Sequence, residues 1–152
     1  LPFVESCMRE AVRMHFAILL MRRAMQDYEE GGYVIPKGHV VCISPLLTHL
    51  DPSVYPNPET FDAERFADVA KARKLEREGA FVQFGLGEHR CLGEMFAFAV
   101  IKTAIRSIVE RVDLNLVDER LPKPDYTKTL GSAFPSGPIR MKVTKRERRT
   151  NG

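Results

Sequence analysis

Residues 84–94 read FGLGEHRCLGE, and the stretch sets one cysteine, Cys91, between a glycine turn and a long apolar segment. Gly85 and Gly87 permit backbone angles closed to other residues. From Glu94 onward Ala97, Ile101, Ala104, Ile108 and Val112 recur at steps of four and three, and Val100, Ile105 and Val109 widen that stripe. The pattern predicts a helix buried over much of its circumference. Cys91 is then expected at the helix start, where free N–H groups and the helix dipole favour negative charge. Such a place suits a thiolate acting as nucleophile or metal ligand. Gly93 removes a side chain where a flat body could press, and His89 and Arg90 offer positive charge to an anion beside it.

Three readings of Cys91 compete. It can be a buried cysteine at a helix start, the usual fate of a free cysteine. It can be a catalytic thiol activated by His89, although residues two apart on a tight turn meet poorly and no third orienting group is identifiable. It can be an axial thiolate beneath a haem iron. A phosphate cradle is weaker, because no G-K-[ST] follows the glycines. Phe84, Gly85, Gly87, Cys91 and Gly93 together form F-G-x-G-x-x-x-C-x-G, far more specific than any one member.

The surrounding chain narrows the choice. Its 152 residues are 44% apolar, with ten Gly, ten Pro and a net charge of +3, the composition of one globular unit. Basic residues are scattered without an aromatic platform, which argues against a dedicated nucleic-acid binder. No apolar run approaches the roughly 18 residues that a membrane span needs. Cys7, Cys42 and Cys91 are odd in number and far apart, so neither a disulfide framework nor a zinc site is indicated. Cys7 and Cys42 are expected as small buried hydrophobes. The chain begins LPFVESCMREAVRM, without an initiator Met or a capping residue, which predicts a C-terminal fragment of something longer.

Val4, Met8, Ala11, Val12 and His15 stand at helical spacing and predict an amphipathic helix over 2–16. AILLMRRAMQD (17–27) reads as extended and mostly buried, and YEEGGYVIPKGHVVCIS (28–44) as two short strands around the Pro36-Lys37-Gly38 turn. Pro45, Pro52, Pro56 and Pro58 predict an ordered, proline-stiffened loop with one helical turn near His49. KARKLEREG (71–79) reads as a solvated face or mobile loop, and the tail from Leu116 as short strands joined by Pro/Gly turns.

At this point the chain resembles a known family. FGLGEHRCLG is similar to the haem-binding loop of the cytochrome P-450 monooxygenases. EAVR (Glu10 to Arg13) resembles the family's E-x-x-R helix, and FDAERF (61–66) its downstream arginine motif. On spacing alone Glu10 and Arg13 would form a surface ion pair worth about 0.2–0.5 kcal/mol. The resemblance implies instead a buried structural triad of Glu10, Arg13 and Arg65. It covers essentially the whole chain and implies a mainly α fold with small β-sheets (α+β). Residues 1–152 would be the C-terminal, haem-binding part of a single cytochrome P-450 domain. The oxygen-activating helix would lie outside them, so no catalytic residue and no independent turnover is expected here.

Within the family, several details resemble the sterol 14-alpha-demethylase branch. They are His89 two residues before the cysteine, GEMFAFAVIKT (93–103), YVIPKGHVVCISPLLTH (33–49) and Arg23 in LLMRRA. The resemblance implies haem b (iron protoporphyrin IX) with Cys91 as axial ligand, Phe84, Gly85 and Gly93 around it, and His89 and Arg23 against the propionates. It also implies a thiolate that favours O–O cleavage, and oxidative removal of a 14-alpha-methyl group. Molecular oxygen, a sterol-like substrate and a redox partner (an NADPH-cytochrome reductase or a ferredoxin) are the implied partners, with Arg90 and Lys102 on an acidic-partner docking face. Ile18, Leu19, Leu20 and Leu130 match pocket-lining positions. HFAILL (15–20) departs from the family's Pro-Pro, Ala63 stands where a proline is usual, and Leu86 replaces a small residue. The alternatives are a P-450 acting on another lipophilic substrate and a non-catalytic piece. The implied compartment is the endoplasmic reticulum membrane for a eukaryotic parent and the cytoplasm for a bacterial one.

Overall fold

A computed structural model describes residues 2–15, 18–127 and 134–146. Helix α1 spans Pro2–His15. Its buried side chains are Ser6, Met8, Glu10 and Arg13, whereas Val4, Ala11 and Val12 are half-buried and His15 is exposed. The helix is therefore where the apolar spacing predicts it, but it turns a largely polar face inward. The reason is tertiary: the Ser6 hydroxyl donates to the Ala63 carbonyl, and Glu10 and Arg13 meet partners described below.

Strand β1 (Leu20–Arg23) pairs antiparallel with β4 (Val40–Ile43), with Leu20 opposite Ile43 and Arg23 opposite Val40. Between them β2 (Tyr28–Glu30) and β3 (Tyr33–Ile35) form a hairpin. Its two-residue turn is Gly31-Gly32, at φ +57° and +80°, the left-handed pair that such a turn requires. Residues 28–44 thus hold three strands rather than two. The Pro36-Lys37-Gly38 turn does not join a hairpin; it sends the chain back to β1, where the Ala24 N–H donates to the His39 carbonyl at 2.9 Å. The burial expected of 17–27 is also not found over the described residues 18–27. Leu20 is half-buried and Met21 to Arg23 are exposed, because this two-stranded ribbon has little packed against it among the described residues. Cys42, on β4, is exposed and Cys7 is half-buried, so neither is the buried hydrophobe expected.

Helix α2 is the short turn Pro45–His49. The chain then follows turns through the prolines, with the Tyr55 N–H donating to the Asp51 carbonyl at 2.8 Å. Tyr55, Phe66, Ala72 and Phe81 make the hydrophobic cluster, with Val54 and Leu75 against it. The Phe66 and Phe81 rings are 4.8 Å apart. Tyr55 keeps a polar partner by donating its hydroxyl to the Ala80 carbonyl at 2.8 Å. The charged stretch near 71–79 is neither loop nor merely solvated. It forms α3 (Val69–Arg77), started by the Asp68 carboxylate accepting from the Ala70 and Lys71 N–H groups, as a good N-cap does.

Helix α4 (Glu94–Val109) forms where the periodicity predicts it but ends before Val112, which opens a strand, and only Glu94 and Phe98 are buried. Met95 and Phe96 are 80% and 74% exposed, and Val100, Ile101, Ile108 and Val109 are exposed too. The helix touches α1 and the strand after it, which cover one side of its broad apolar surface. That strand, β5 (Val112–Leu116), pairs antiparallel with β8 (Met141–Lys145), and β6 (Pro124–Asp125) with β7 (Phe134–Pro135). Helices with small antiparallel sheets are the α+β class expected. Among the described residues no helix is long and apolar enough to cross a membrane.

Phe66 is the test of where the core lies. Phe66→Ala is expected to cost about 3–5 kcal/mol of denaturation stability; a loss below about 1 kcal/mol would mean the cluster is not the packing centre.

Candidate functional site

Glu10 and Arg13 are both fully buried at 0% exposure, and Arg65 is buried beside them. The Glu10 carboxylate accepts from Arg13 Nε and Nη2, each at 2.8 Å, from Arg65 Nε at 3.0 Å and from the Asp62 N–H at 3.1 Å. Both guanidiniums also donate to backbone. Arg13 donates to the His49 and Pro58 carbonyls at 2.6 and 2.7 Å, and Arg65 to those of Pro56 and Thr60. The Tyr55 ring faces both cations, 5.1 and 5.9 Å from their centres. Burial pushes the Glu10 carboxyl upward, but the hydrogen bonds from Arg13, Asp62 and Arg65 together outweigh it and hold it below the usual carboxylate range.

The triad and the cluster then carry the segment that leads to the cysteine. Tyr55 holds the Ala80 carbonyl, and His49 Nε2 accepts from the Val82 N–H at 3.3 Å. The Phe84 ring packs on Phe98 at 5.6 Å, and its carbonyl accepts the Cys91 N–H at 2.7 Å. Gly85 is the tightest position. It stands at φ +75°, and a Cβ there would lie 2.6 Å from the His89 carbonyl oxygen, closer than any side chain can approach. Between these residues Gly87–His89 makes one 3-10 turn. The Cys91 thiol is free and exposed. It precedes α4 rather than opening it: Gly93 is the N-cap, and the Cys91 carbonyl receives the Glu94 N–H at 3.4 Å.

Arg90 does not present free charge. It is bidentate to Glu94, at 2.8 and 3.0 Å, and reaches Glu76 at 3.3 Å. Arg9 pairs with Glu76 as well, and Lys102 pairs with Glu5 at 2.9 Å. Arg90 and Lys102, expected on a docking face, are thus both engaged in ion pairs within the chain. Gln83 is buried, and its amide nitrogen and oxygen have no hydrogen-bond partner among the described residues. Beside it is a cavity of about 10 Å³ lined by Glu76, Phe84, Arg90 and Glu94, the room one water needs.

Other expected site residues are less connected. His89 and Arg23 are exposed, on the 3-10 turn and on β1. Ile18 and Leu20 are half-buried and Leu19 is exposed; Leu130 lies outside the described residues. No group of three or more His, Cys, Asp or Glu side chains that could hold a metal ion occurs among the described residues, so Cys91 stands as a lone thiol. Sequence reasoning missed His49, Tyr55, Glu76 and Glu94. Only the Arg90–Glu94 pair carried a signal, its i, i+4 spacing.

A family model described as cytochrome P450 matches residues 1–143. The chain belongs to the cytochrome P450 family. The lanosterol 14-alpha demethylase of Cunninghamella elegans is 31% identical over 169 aligned residues, covering 97% of this chain and 33% of that protein. The sterol 14-demethylase of Arabidopsis thaliana is 36% identical over 126 residues, covering 79% and 26%. Among solved structures, the retinoic acid-bound cyanobacterial CYP120A1 matches with a TM-score of 0.81 at 29% identity, covering 95% of this chain and 33% of that one. This P450 chain spans a third or less of the length of these relatives.

Membership in the P450 family implies a haem cofactor, and the residues present fit one. A bare thiol stands on a turn whose shape is closed by backbone contacts. Leu92, Met95 and Phe96 beside it expose apolar surface. At Gly93 a Cβ would meet, among the described residues, only Cys91 Sγ, at an ordinary 3.8 Å, so no crowding from those residues requires that glycine, and a flat apolar group would fit above it.

Two substitutions probe this framework. Arg65→Ala leaves part of a buried carboxylate unpaired and is expected to destabilise the protein by about 3–5 kcal/mol, measured by denaturation. Gly85→Ala is expected to cost at least about 1–3 kcal/mol through backbone strain and to lower haem content; normal stability and haem content would mean the turn is not constrained there.

Proposed function

We propose that residues 1–152 are the C-terminal, haem-binding part of a single P450 domain, and that the whole protein is a sterol 14-alpha-demethylase. The observation that carries this reading is the exposed, unpaired Cys91 thiol on a backbone-closed turn, in a chain 31% and 36% identical to two sterol 14-demethylases. The exposed apolar side chains of α4 support the first part, since contiguous apolar surface marks an interaction face. Remaining parts of the same domain are its natural cover.

When bound, haem b supplies oxygen activation and the power to oxidise an unactivated C–H bond. In this reading Cys91 holds the iron as a thiolate, and Phe84, Gly85 and Gly93 shape the turn that presents it. His89 and Arg23 neutralise the propionates. Glu10, Arg13 and Arg65 touch neither substrate nor cofactor and act as a structural lock. Ile18, Leu19, Leu20 and Leu130 offer apolar contact to the sterol. Electrons come from an NADPH-dependent reductase or a ferredoxin, and molecular oxygen is the second substrate. A second reading, a P450 acting on another lipophilic substrate, draws on the retinoic acid-bound neighbour.

Cys91→Ala in the full-length protein is expected to abolish the thiolate-type spectrum of the ferrous carbonyl complex; an unchanged spectrum and haem content would overturn the ligand assignment. Titrating the parent with a 14-alpha-methyl sterol is expected to shift the haem toward high spin, with product analysis detecting the demethylated sterol. A shift with retinoic acid and none with the sterol would favour the second reading.

A further inference from the structure

His49 is a titratable side chain in the interior for which the proposed chemistry has no use. It is 0% exposed. Its ring stacks on Phe81 at 5.6 Å and meets Tyr55 edge-on at 6.3 Å. Its carbonyl receives the Arg13 guanidinium at 2.6 Å, and its Nε2 receives the Val82 N–H at 3.3 Å. One residue thus joins the triad, through its backbone, to the segment before the cysteine, through its ring.

We propose that His49 is a positioning residue for the Cys91 turn: a neutral imidazole whose Nε2 holds the Val82 amide and so fixes the backbone that leads to the thiol. The assignment rests on the haem-thiolate reading of Cys91. Because Nε2 accepts, it carries no proton, and the neutral ring must keep its proton on Nδ1. That atom is buried and has no hydrogen-bond partner among the described residues. Protonation would set an Nε2–H against the Val82 N–H, two donors face to face. It would also add a cation next to Arg13. The groups that face the ring are Arg13 from α1, with Glu10 behind it, Tyr55 from the proline-rich loop, with Arg65 across its ring, and Phe81 with the Val82 backbone. None is an anion free to pair with an imidazolium, since Glu10 is engaged by both arginines.

Burial first, and the Arg13 charge second, lower the His49 pKa from 6.5 to about 4. For a group depressed in the folded state, the contribution to stability is complete above pH 6.5 and declines as pH falls toward 4, while the ring of the folded protein stays neutral until about pH 4. From Val82 the restraint passes along the backbone: the Val82 carbonyl accepts the Gly85 N–H at 2.8 Å, and the Phe84 carbonyl accepts that of Cys91 at 2.7 Å. A ring needed only to fill space would be replaceable by phenylalanine; a ring needed as an acceptor would not.

The test compares wild type, His49→Phe and His49→Gln in the full-length holoprotein. Two quantities are read: amide exchange at Val82, and the thiolate-ligated fraction of the ferrous carbonyl complex across pH. His49→Phe keeps a ring but no acceptor, and is expected to speed Val82 exchange by about 5- to 150-fold and to lower the thiolate-ligated fraction at neutral pH. His49→Gln restores an acceptor that does not titrate. It is expected to match wild type at neutral pH and to keep its thiolate ligation as pH falls through about 4, where the wild-type ring gains its proton and ligation is lost. Wild-type behaviour of His49→Phe in both readings overturns the proposal, and so does an acid loss in His49→Gln with the wild-type midpoint. If His49→Phe does not fold, the glutamine comparison decides. A Cys91→Ala protein with an unchanged spectrum would remove the haem-thiolate reading, and Val82 exchange would still report separately whether His49 holds that amide.

Discussion

Glu10, Arg13 and Arg65 place one carboxylate and two guanidiniums where water does not reach. Removing such charges from water is costly, and their mutual attraction offsets it only when every lone pair and proton is met. Here the carboxylate receives both arginines and a backbone amide, and the guanidiniums donate in addition to carbonyls 49, 56, 58 and 60. Those bonds explain an otherwise puzzling segment. Residues 50–65 have no regular secondary structure, yet carbonyls of this segment and of His49 serve as the acceptors the buried cations need.

From the triad, order passes outward in steps of different chemistry. Aromatic packing of Tyr55, Phe66 and Phe81 supplies the apolar part. Single side-chain hydrogen bonds from Tyr55 and to His49 hold the next segment. Backbone bonds and a left-handed glycine then shape the turn itself. Around Cys91 the restraint is therefore almost wholly main-chain, which leaves its side chain free to serve as a ligand. The ion pairs of Arg9, Glu76, Arg90 and Glu94 brace that turn from the side of α1 and α3.

Much of this was legible in the residues. The glycine–cysteine pattern, the E-x-x-R helix and the arginine motif marked the family and pointed to a buried triad. Periodicity located α1 and α4. What it could not supply was the face each helix buries. In α1, Glu10 and Arg13 go inward because Arg65 and loop carbonyls reach them from more than thirty residues away. In α4, most of the apolar stripe stays exposed because α1 and β5 cover only part of it. The extra strand near Gly31-Gly32 had a turn signal, but the Pro-Lys-Gly turn drew the reading away from it. α3 was missed because its charges outnumber the two inward apolar residues Ala72 and Leu75, and His49 because a lone histidine beside prolines carries no local signature.

The triad also constrains the order in which the chain can fold. Glu10 and Arg13 are three residues apart and can meet as soon as one helix forms, whereas Arg65 joins Glu10 across 55 residues. Closing that span loses chain entropy before the contacts return it. Until it closes, an Arg–Glu pair on a lone helix remains hydrated and weak. The carbonyls of the proline-rich loop have no cations to bind in that state, and the segment before Cys91 has no floor. The cysteine turn is thus expected to acquire its shape late, after the Glu10–Arg65 ion pair in its support has formed. A nascent chain would present the thiol on a mobile backbone before presenting it on a rigid one.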